Sequence, residues 1–398
     1  MRSTGIERRR LLRAAAGFSI GGLGIGGLGL GLGFAAPGMG AFNGSRAAER
    51  RGQRATPAVY VAARQEAEGR HVAAVFDLDA GDGALVPLPG RGHDVAVCRR
   101  TGTFVVFARR PGRFAIAVQP GREPAIFTTP DDRHFNGHGV FSPAGDLLYA
   151  TENDFIGQRG VLGLYRCPGR HDRAWRRIGE LPTFGIGPHE LGLLPDGDTL
   201  AIANGGILTD PGVGDGRSAI GRGVQADLVL IDRRRGDRLG QWRLPPELAD
   251  LSIRHLALDR RGSVWFGCQW EGVAGATPPL LGRLSPQGAL EMVETSAMAG
   301  NLANYVGSVV ADRTGTLIAA SSPRAGAVAI LDAASARTLA VVPLADGCGL
   351  AGQQEGRGFI ATSGGGKVEA LSFTSDGVGE EPLRASSGRW DNHLRRLA

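Results

Sequence analysis

The stretch His138-Gly139-Val140-Phe141-Ser142-Pro143-Ala144-Gly145-Asp146-Leu147-Leu148-Tyr149-Ala150-Thr151 sets a short apolar segment on each side of a Ser-Pro-Ala-Gly-Asp turn. Pro and Gly are the residues that tight turns demand, so the stretch reads as two antiparallel strands joined by a hairpin. The same grammar recurs from His189 to Asn204, with Pro195-Asp196-Gly197 at the turn. It recurs again from His255 to Gly267, turning at Arg261-Gly262, and from Ser308 to Ala320. Looser copies begin at His93 and near Cys348. The starts lie 45, 51, 66, 53 and 40 residues apart, a period that suits one four-stranded blade per copy.

Third strands follow the hairpins at Gly160 to Tyr165, Asp227 to Ile231 and Ala327 to Leu331. The longest spacing carries an insertion around Pro211 to Val224. Strands are left over at both ends: Ala58 to Ala63 and His71 to Leu78 read as a second and third strand lacking a first. Arg389-Trp390-Asp391-Asn392-His393-Leu394 supplies the missing one. The expected fold is therefore all-β, a seven-bladed β-propeller over residues 57–398, its last blade closed by strands from both termini so that no sheet edge stays open. Composition agrees: the 398 residues include 64 Gly and 22 Pro, and no amphipathic stretch is long enough for a helix bundle.

Residues 7–13, Glu-Arg-Arg-Arg-Leu-Leu-Arg, precede an uncharged run from Ala14 to Ala36. This pattern looks like a twin-arginine export signal, with Leu11 where such signals favour Phe. The run is long enough to span a bilayer, but its glycines lower hydrophobicity and helix propensity, which favours a signal over residues 1–41 that is cleaved, leaving no stable membrane span. Residues 42–56 read as a linker. The expected location is the periplasm. Residues 1–48 hold six arginines against Glu7 alone, leaving about +1 of the +6 net charge for the rest. No basic face with interleaved aromatics remains, so nucleic acid is not an expected partner.

If each repeat opens on an inner strand, then His93, His138, His189, His255 and His393 fall at one structural position. Ser308 and Cys348 occupy the other two. Five of the eight histidines would ring one mouth of the central channel. Arg109, Glu152, Asn153, Asp154, Asn204 and Glu271, in segments read as loops on the same face, would form the rim or support the ring, together with Glu190. Neutral imidazoles suit a transition metal, copper or iron, with carboxylates as ligands or orienters. The bland alternative is that Gly92-His93 and Gly137-His138 act as in other propellers, where such a His only bonds the backbone of a neighbouring blade. His71, His134 and His171 lie off the pattern and read as solvated, with His134 near enough to His138 to assist.

Other chemistry finds little footing. The one Gly-x-Ser-x-Gly match, Gly17 to Gly21, lies inside the export signal. There is no P-loop, no His-Glu-x-x-His and no Cys-x-x-Cys-His. Cys98, Cys167, Cys268 and Cys348 lack the pairing of a zinc site and read as small strand hydrophobes, although an oxidising compartment permits two disulfides.

Several stretches resemble one bacterial family. They are Val105 to Gly112, Gly137 to Ser142, Tyr149 to Asp154, Gly185-Ile186-Gly187-Pro188-His189-Glu190-Leu191, Ala203 to Gly206, Leu251 to Leu256 and Trp390-Asp391-Asn392-His393. The chain is similar from about residue 57 to 395 to the domain of unknown function 1513 family. The resemblance implies a twin-arginine signal, a propeller, and a setting beside imelysin-like and di-haem peroxidase-like periplasmic proteins in iron-uptake gene clusters. It implies no activity. The expectation is thus a periplasmic propeller that binds a transition metal and serves iron acquisition. The alternatives are a non-catalytic interaction scaffold with structural histidines, and a metal-dependent hydrolase or lactonase using Glu152, Asn153, Asn204 and Glu271.

Overall fold

A computed structural model describes residues 58–169, 174–212, 224–295, 298, 300–375 and 377–397. The expected export signal, the linker, His171 and most of the Pro211–Val224 insertion lie outside the described residues. Among the described residues, twenty-eight strands form seven four-stranded antiparallel sheets, the blades of a propeller. No helix among the described residues is long and apolar enough to cross a membrane.

Blade 1 joins the two ends of the chain. Its strand order is Arg389–Arg396, Val59–Gln65, His71–Asp77, Gly81–Pro87, so the C-terminal segment is the inner strand and the N-terminal segments are the other three. Register runs from Tyr60 opposite Arg396 to Gln65 opposite Arg389. Trp390 and Leu394 of that strand are buried at 3% and 1% exposure, and the Trp390 ring lies 4.9 Å from Phe76. The ring closes as the leftover strands require.

Blades 2 to 7 follow the chain, with inner strands Gly92–Cys98, Arg133–Phe141, Pro188–Leu193, Leu251–Leu258, Ser308–Ala311 and Gly347–Gly352. Second strands such as Thr103–Ala108, Thr199–Asn204 and Leu317–Ser322 are buried at every residue. Side chains alternate between the two faces of a strand, so burial at every position means that both faces are covered by neighbouring blades. Outer strands such as Arg238–Arg243 are mostly half-buried or exposed and carry the polar residues. Between blades 3 and 4, Tyr149 and Leu162 pack with Leu200 and Ile202. Each such buried side chain contributes about 1.5–3 kcal/mol, and this inter-blade packing fixes how the inner strands meet at the axis.

Six of the seven inner strands break register with their second strand. The interruption takes up His93-Asp94 in blade 2, Asn136-Gly137-His138 in blade 3 and His189-Glu190 in blade 4. It takes up Arg254 beside His255 in blade 5, Cys348-Gly349 in blade 7 and Asp391-Asn392-His393 in blade 1. A β-bulge leaves its residues outside the ladder and re-aims their side chains. Every one of the five histidines therefore sits in or beside a bulge on an inner strand. Blade 6, with Ser308, pairs in unbroken register.

Candidate metal centre

The five imidazoles meet. His138 lies 4.6 Å from His189, 4.8 Å from His393, 5.0 Å from His93 and 5.9 Å from His255, centroid to centroid. His93 is 4.7 Å from His393, and His255 is 4.9 Å from His189 and 5.0 Å from His393. All five are at most 5% exposed. Donor atoms of His93, His138 and His393 fall within 4.8 Å of one another, and so do those of His138, His189 and His255. His138 belongs to both groups and is the centre of the cluster.

Carboxylates hold three of the rings, each reaching across a blade boundary. Asp391 of blade 1 lies 3.2 Å from Nδ1 of His93 in blade 2. Asp94 of blade 2 lies 2.8 Å from Nδ1 of His138 in blade 3, and Glu190 of blade 4 lies 3.3 Å from Nδ1 of His255 in blade 5. A carboxylate accepts the Nδ1 proton, which fixes the tautomer and leaves Nε2 with a free lone pair. Arg395 ties two of these acids together: Nε and Nη2 donate to Asp94 at 2.8 and 2.7 Å, and Nη2 donates to Glu190 at 2.7 Å.

The break in this relay has a steric cause. The residue after His138, the position that in blades 2 and 4 carries the acid, is Gly139, and a Cβ there would stand 2.5 Å from the Phe107 ring. No side chain fits, and Nδ1 of His189 in the next blade is buried without a partner among the described residues. Nε2 of His138 and Nε2 of His393 are also buried, with no partner among the described residues. The preceding Gly137 is required too, since its φ is +100° and a Cβ would meet the His93 ring at 2.6 Å.

Burial favours the neutral form of His93, His189, His255 and His393, while Arg395 keeps the acids it meets ionised. Burial pushes His93 down to about 3 despite Asp391, and it drives His189 and His393 well below the usual imidazole range. Burial alone would raise Asp94 and Glu190, but Arg395 and the hydrogen bonds from His138 and His255 outweigh it. They hold Asp94 well below the usual range and Glu190 at about 2. The result is a pocket rich in imidazole nitrogens, the donor set that copper, iron, zinc and nickel favour.

The remaining expected residues divide. Arg109 stays at the cluster, its Nη1 3.7 Å from Asp391, and Glu271 reaches Arg254 at 3.4 Å, beside His255. Glu152 is engaged elsewhere: its carboxylate accepts from Tyr165 at 2.5 Å and from Arg177 at 2.9 Å. Asn153 donates to Thr209, and Asp154 takes Arg159 and the Gly157 amide. Asn204 donates to Thr183 and Asp227. Glu152, Asn153 and Asp154 lie in the strand Leu147–Asp154, where the sequence reads as a loop. His134, expected to be solvated, is instead fully buried, both ring nitrogens bonded, to Phe135 and to Thr209. Cys348 points its sulfur at the backbone oxygens of Trp390 and Asp391, and none of the four cysteines forms a disulfide. Asp94, Asp391 and Arg395 escape the sequence reading. Two of the acids carry a signal all the same, in the dipeptide His93-Asp94 and the triplet Asp391-Asn392-His393.

Fold and site thus define a seven-bladed propeller whose inner strands gather five imidazoles behind a carboxylate relay. The chain belongs to the family described as "Protein of unknown function (DUF1513)", whose model matches residues 86–397. No curated protein matches the chain. Among solved structures it is similar to the periplasmic gluconolactonase PpgL of Pseudomonas aeruginosa, at 13% identity and TM-score 0.59 over 86% of this chain and 99% of that one. It is also similar to hydrazine synthase of Kuenenia stuttgartiensis, at 14% identity and TM-score 0.53 over 86% and 100%. At these identities the likeness concerns the fold alone.

Proposed function

We propose that the protein binds a transition metal, copper or iron, in the five-histidine cluster, and that it does so as an exported periplasmic component of iron acquisition. One observation carries the metal reading: two imidazole nitrogens, Nε2 of His138 and Nε2 of His393, on rings 4.8 Å apart, are buried without a hydrogen-bond partner among the described residues. An unsatisfied buried polar atom costs about 1–3 kcal/mol, and two on neighbouring rings are hard to sustain unless something binds them. The carboxylate on the far nitrogen of His93, His138 and His255 is the arrangement that orients imidazoles bound to metal. A purely structural role, with each His bonded to backbone of the next blade, does not suit rings that bond carboxylates.

An all-nitrogen set favours copper in the order of intrinsic affinity, so iron would have to be selected by supply. The periplasmic iron setting rests on the family's expected neighbours, the imelysin-like and di-haem peroxidase-like proteins. A hydrolase or lactonase reading is less well supported, because Glu152, Asn153 and Asn204 are bound by Tyr165 and Arg177, Thr209, and Thr183 and Asp227. Elemental analysis of protein folded and exported by its native route tests the proposal. Stoichiometric copper or iron in the wild type, lost in His138→Ala and His189→Ala, is the expected result. Wild-type metal content in both variants would overturn it.

A further inference from the structure

Beyond the histidines the channel changes character. A cavity of ≈ 240 Å³ is walled by Leu191, Leu256, Leu258, Val309 and Ala311 from blades 4 to 6, with Glu190 and Arg395 at its polar end. Each wall residue follows its blade's histidine position (Ser308 in blade 6) by one to three residues, so the cavity continues the channel past the cluster. Glu190 and Arg395, which line the cavity, also belong to the triad with Asp94 that bonds His138 and His255. Engineered apolar cavities of about 150 Å³ already hold a benzene ring, so this one has room for a bicyclic molecule.

The triad selects the chemistry of the guest. Arg395 spends Nε and Nη2 on Asp94 and Glu190, which leaves Nη1 without a hydrogen bond to the described residues. Glu190 has its oxygens occupied, one by Arg395 and the other by His255 and the Leu256 amide. The polar end therefore offers a free donor, Nη1 of Arg395, beside carboxylate oxygens that are already engaged. Two carboxylates against one guanidinium give the triad a net charge of −1, which disfavours an anion. A cation would lose its water against apolar walls and would have to compete with Arg395, His255 and the Leu256 amide for the carboxylate oxygens.

We propose that this cavity binds a compact, neutral organic molecule with an apolar body and a carbonyl oxygen that accepts from Nη1 of Arg395. The site stands on the cavity and the triad and does not depend on whether the imidazoles hold a metal. Through Asp94 and Glu190 the guest's acceptor would be linked to His138 and His255, so occupancy would be felt at the cluster.

Calorimetric titration of the full-length, natively exported protein tests this with three probes: 1-tetralone, the same frame without oxygen (tetralin), and 1-naphthoate. Binding of 1-tetralone is expected in the submillimolar range, with tetralin at least tenfold weaker and no detectable binding of naphthoate. Ala311→Trp, which fills the cavity away from the triad, is expected to weaken 1-tetralone at least tenfold with its melting temperature kept. Arg395→Met is expected to erase the preference for 1-tetralone over tetralin; should that variant not fold, the Ala311→Trp result decides. Undetectable 1-tetralone binding, equal binding of naphthoate, or a folded Ala311→Trp that binds like the wild type would each overturn the proposal. Metal content of the same samples reports separately on the histidine cluster.

Discussion

Asp94→Asn separates the relay from ordinary packing. Asp94 makes the shortest of the three carboxylate–imidazole bonds, 2.8 Å to Nδ1 of His138, and His138 is the ring shared by both groups of histidines. Asn keeps the size and one acceptor oxygen but removes the charge, so His138 loses the charged partner that strengthens it as a donor. Removing a partner of this kind typically costs 10–100-fold in metal affinity, about 1.4–2.7 kcal/mol. Because His138 is central, the upper half of that range is expected. Arg395 retains Glu190 at 2.7 Å, so the fold should persist with a loss of about 1–3 kcal/mol. The assay is a competitive chelator titration of the metal, with melts recorded on the same variants. Glu152→Gln is the control, a fully buried carboxylate that serves Tyr165 and Arg177 and no imidazole. Affinity for metal in Asp94→Asn within threefold of wild type, or an equal loss in Glu152→Gln, would refute the reasoning.

Three further outcomes follow from the same structure. Deleting residues 386–398 removes the inner strand of blade 1 with buried Trp390 and Leu394, each worth about 2–5 kcal/mol. That approaches the whole stability of a typical domain, so calorimetry should show the cooperative melt lost or lowered by more than about 10 °C, and an unchanged melt would count against terminal closure. Thiol titration of native protein should leave Cys98, Cys268 and Cys348 unreactive, because they are buried and burial pushes the Cys348 thiol up to about 12; denatured protein should release all four, and fewer would show a disulfide. Glu180 is the acid-sensitive member of a surface network: burial would raise its pKa, but hydrogen bonds from Arg133 and Arg177 outweigh this and hold it at about 2. Its contribution is full above the ordinary carboxyl range near 4.5 and is lost as pH falls through about 2, so Glu180→Gln should flatten the fall in melting temperature between those values. Parallel curves for both proteins would remove Glu180 from that account.

The repeat was legible because turn chemistry and apolar runs are local. Ser-Pro-Ala-Gly-Asp and Pro-Asp-Gly-Asp mark hairpins wherever they occur, and the unpaired end strands ask for a partner. The histidine cluster followed because one position recurs with the repeat. What binds to what is not local. Glu152-Asn153-Asp154 looks like a polar loop, yet Tyr165 and Arg177 on the next two strands draw Glu152 into the blade. Arg395 meets Asp94 and Glu190 at separations of 301 and 205 residues, across the closure of the ring, where no spacing rule reaches. The bulges are equally silent in the sequence, although they deliver each imidazole to the axis.

The relay also ranks the ligands, and the ranking can be measured. An acid directly after the histidine serves the next blade in two cases, Asp94 for His138 and Glu190 for His255. The pattern fails after His138, where Phe107 leaves room only for Gly139, and His189 consequently has no carboxylate. His189 therefore sits in one group of histidines, unheld at Nδ1, whereas His138 sits in both and is anchored. An unanchored ring pays more rotational entropy on binding and is the weaker base, so it contributes less affinity and exchanges more readily. His189→Ala should then cost at least tenfold less metal affinity than His138→Ala in the chelator titration. Equal losses would mean that the carboxylates orient rings without strengthening them, and the relay would be packing rather than a device of the metal centre.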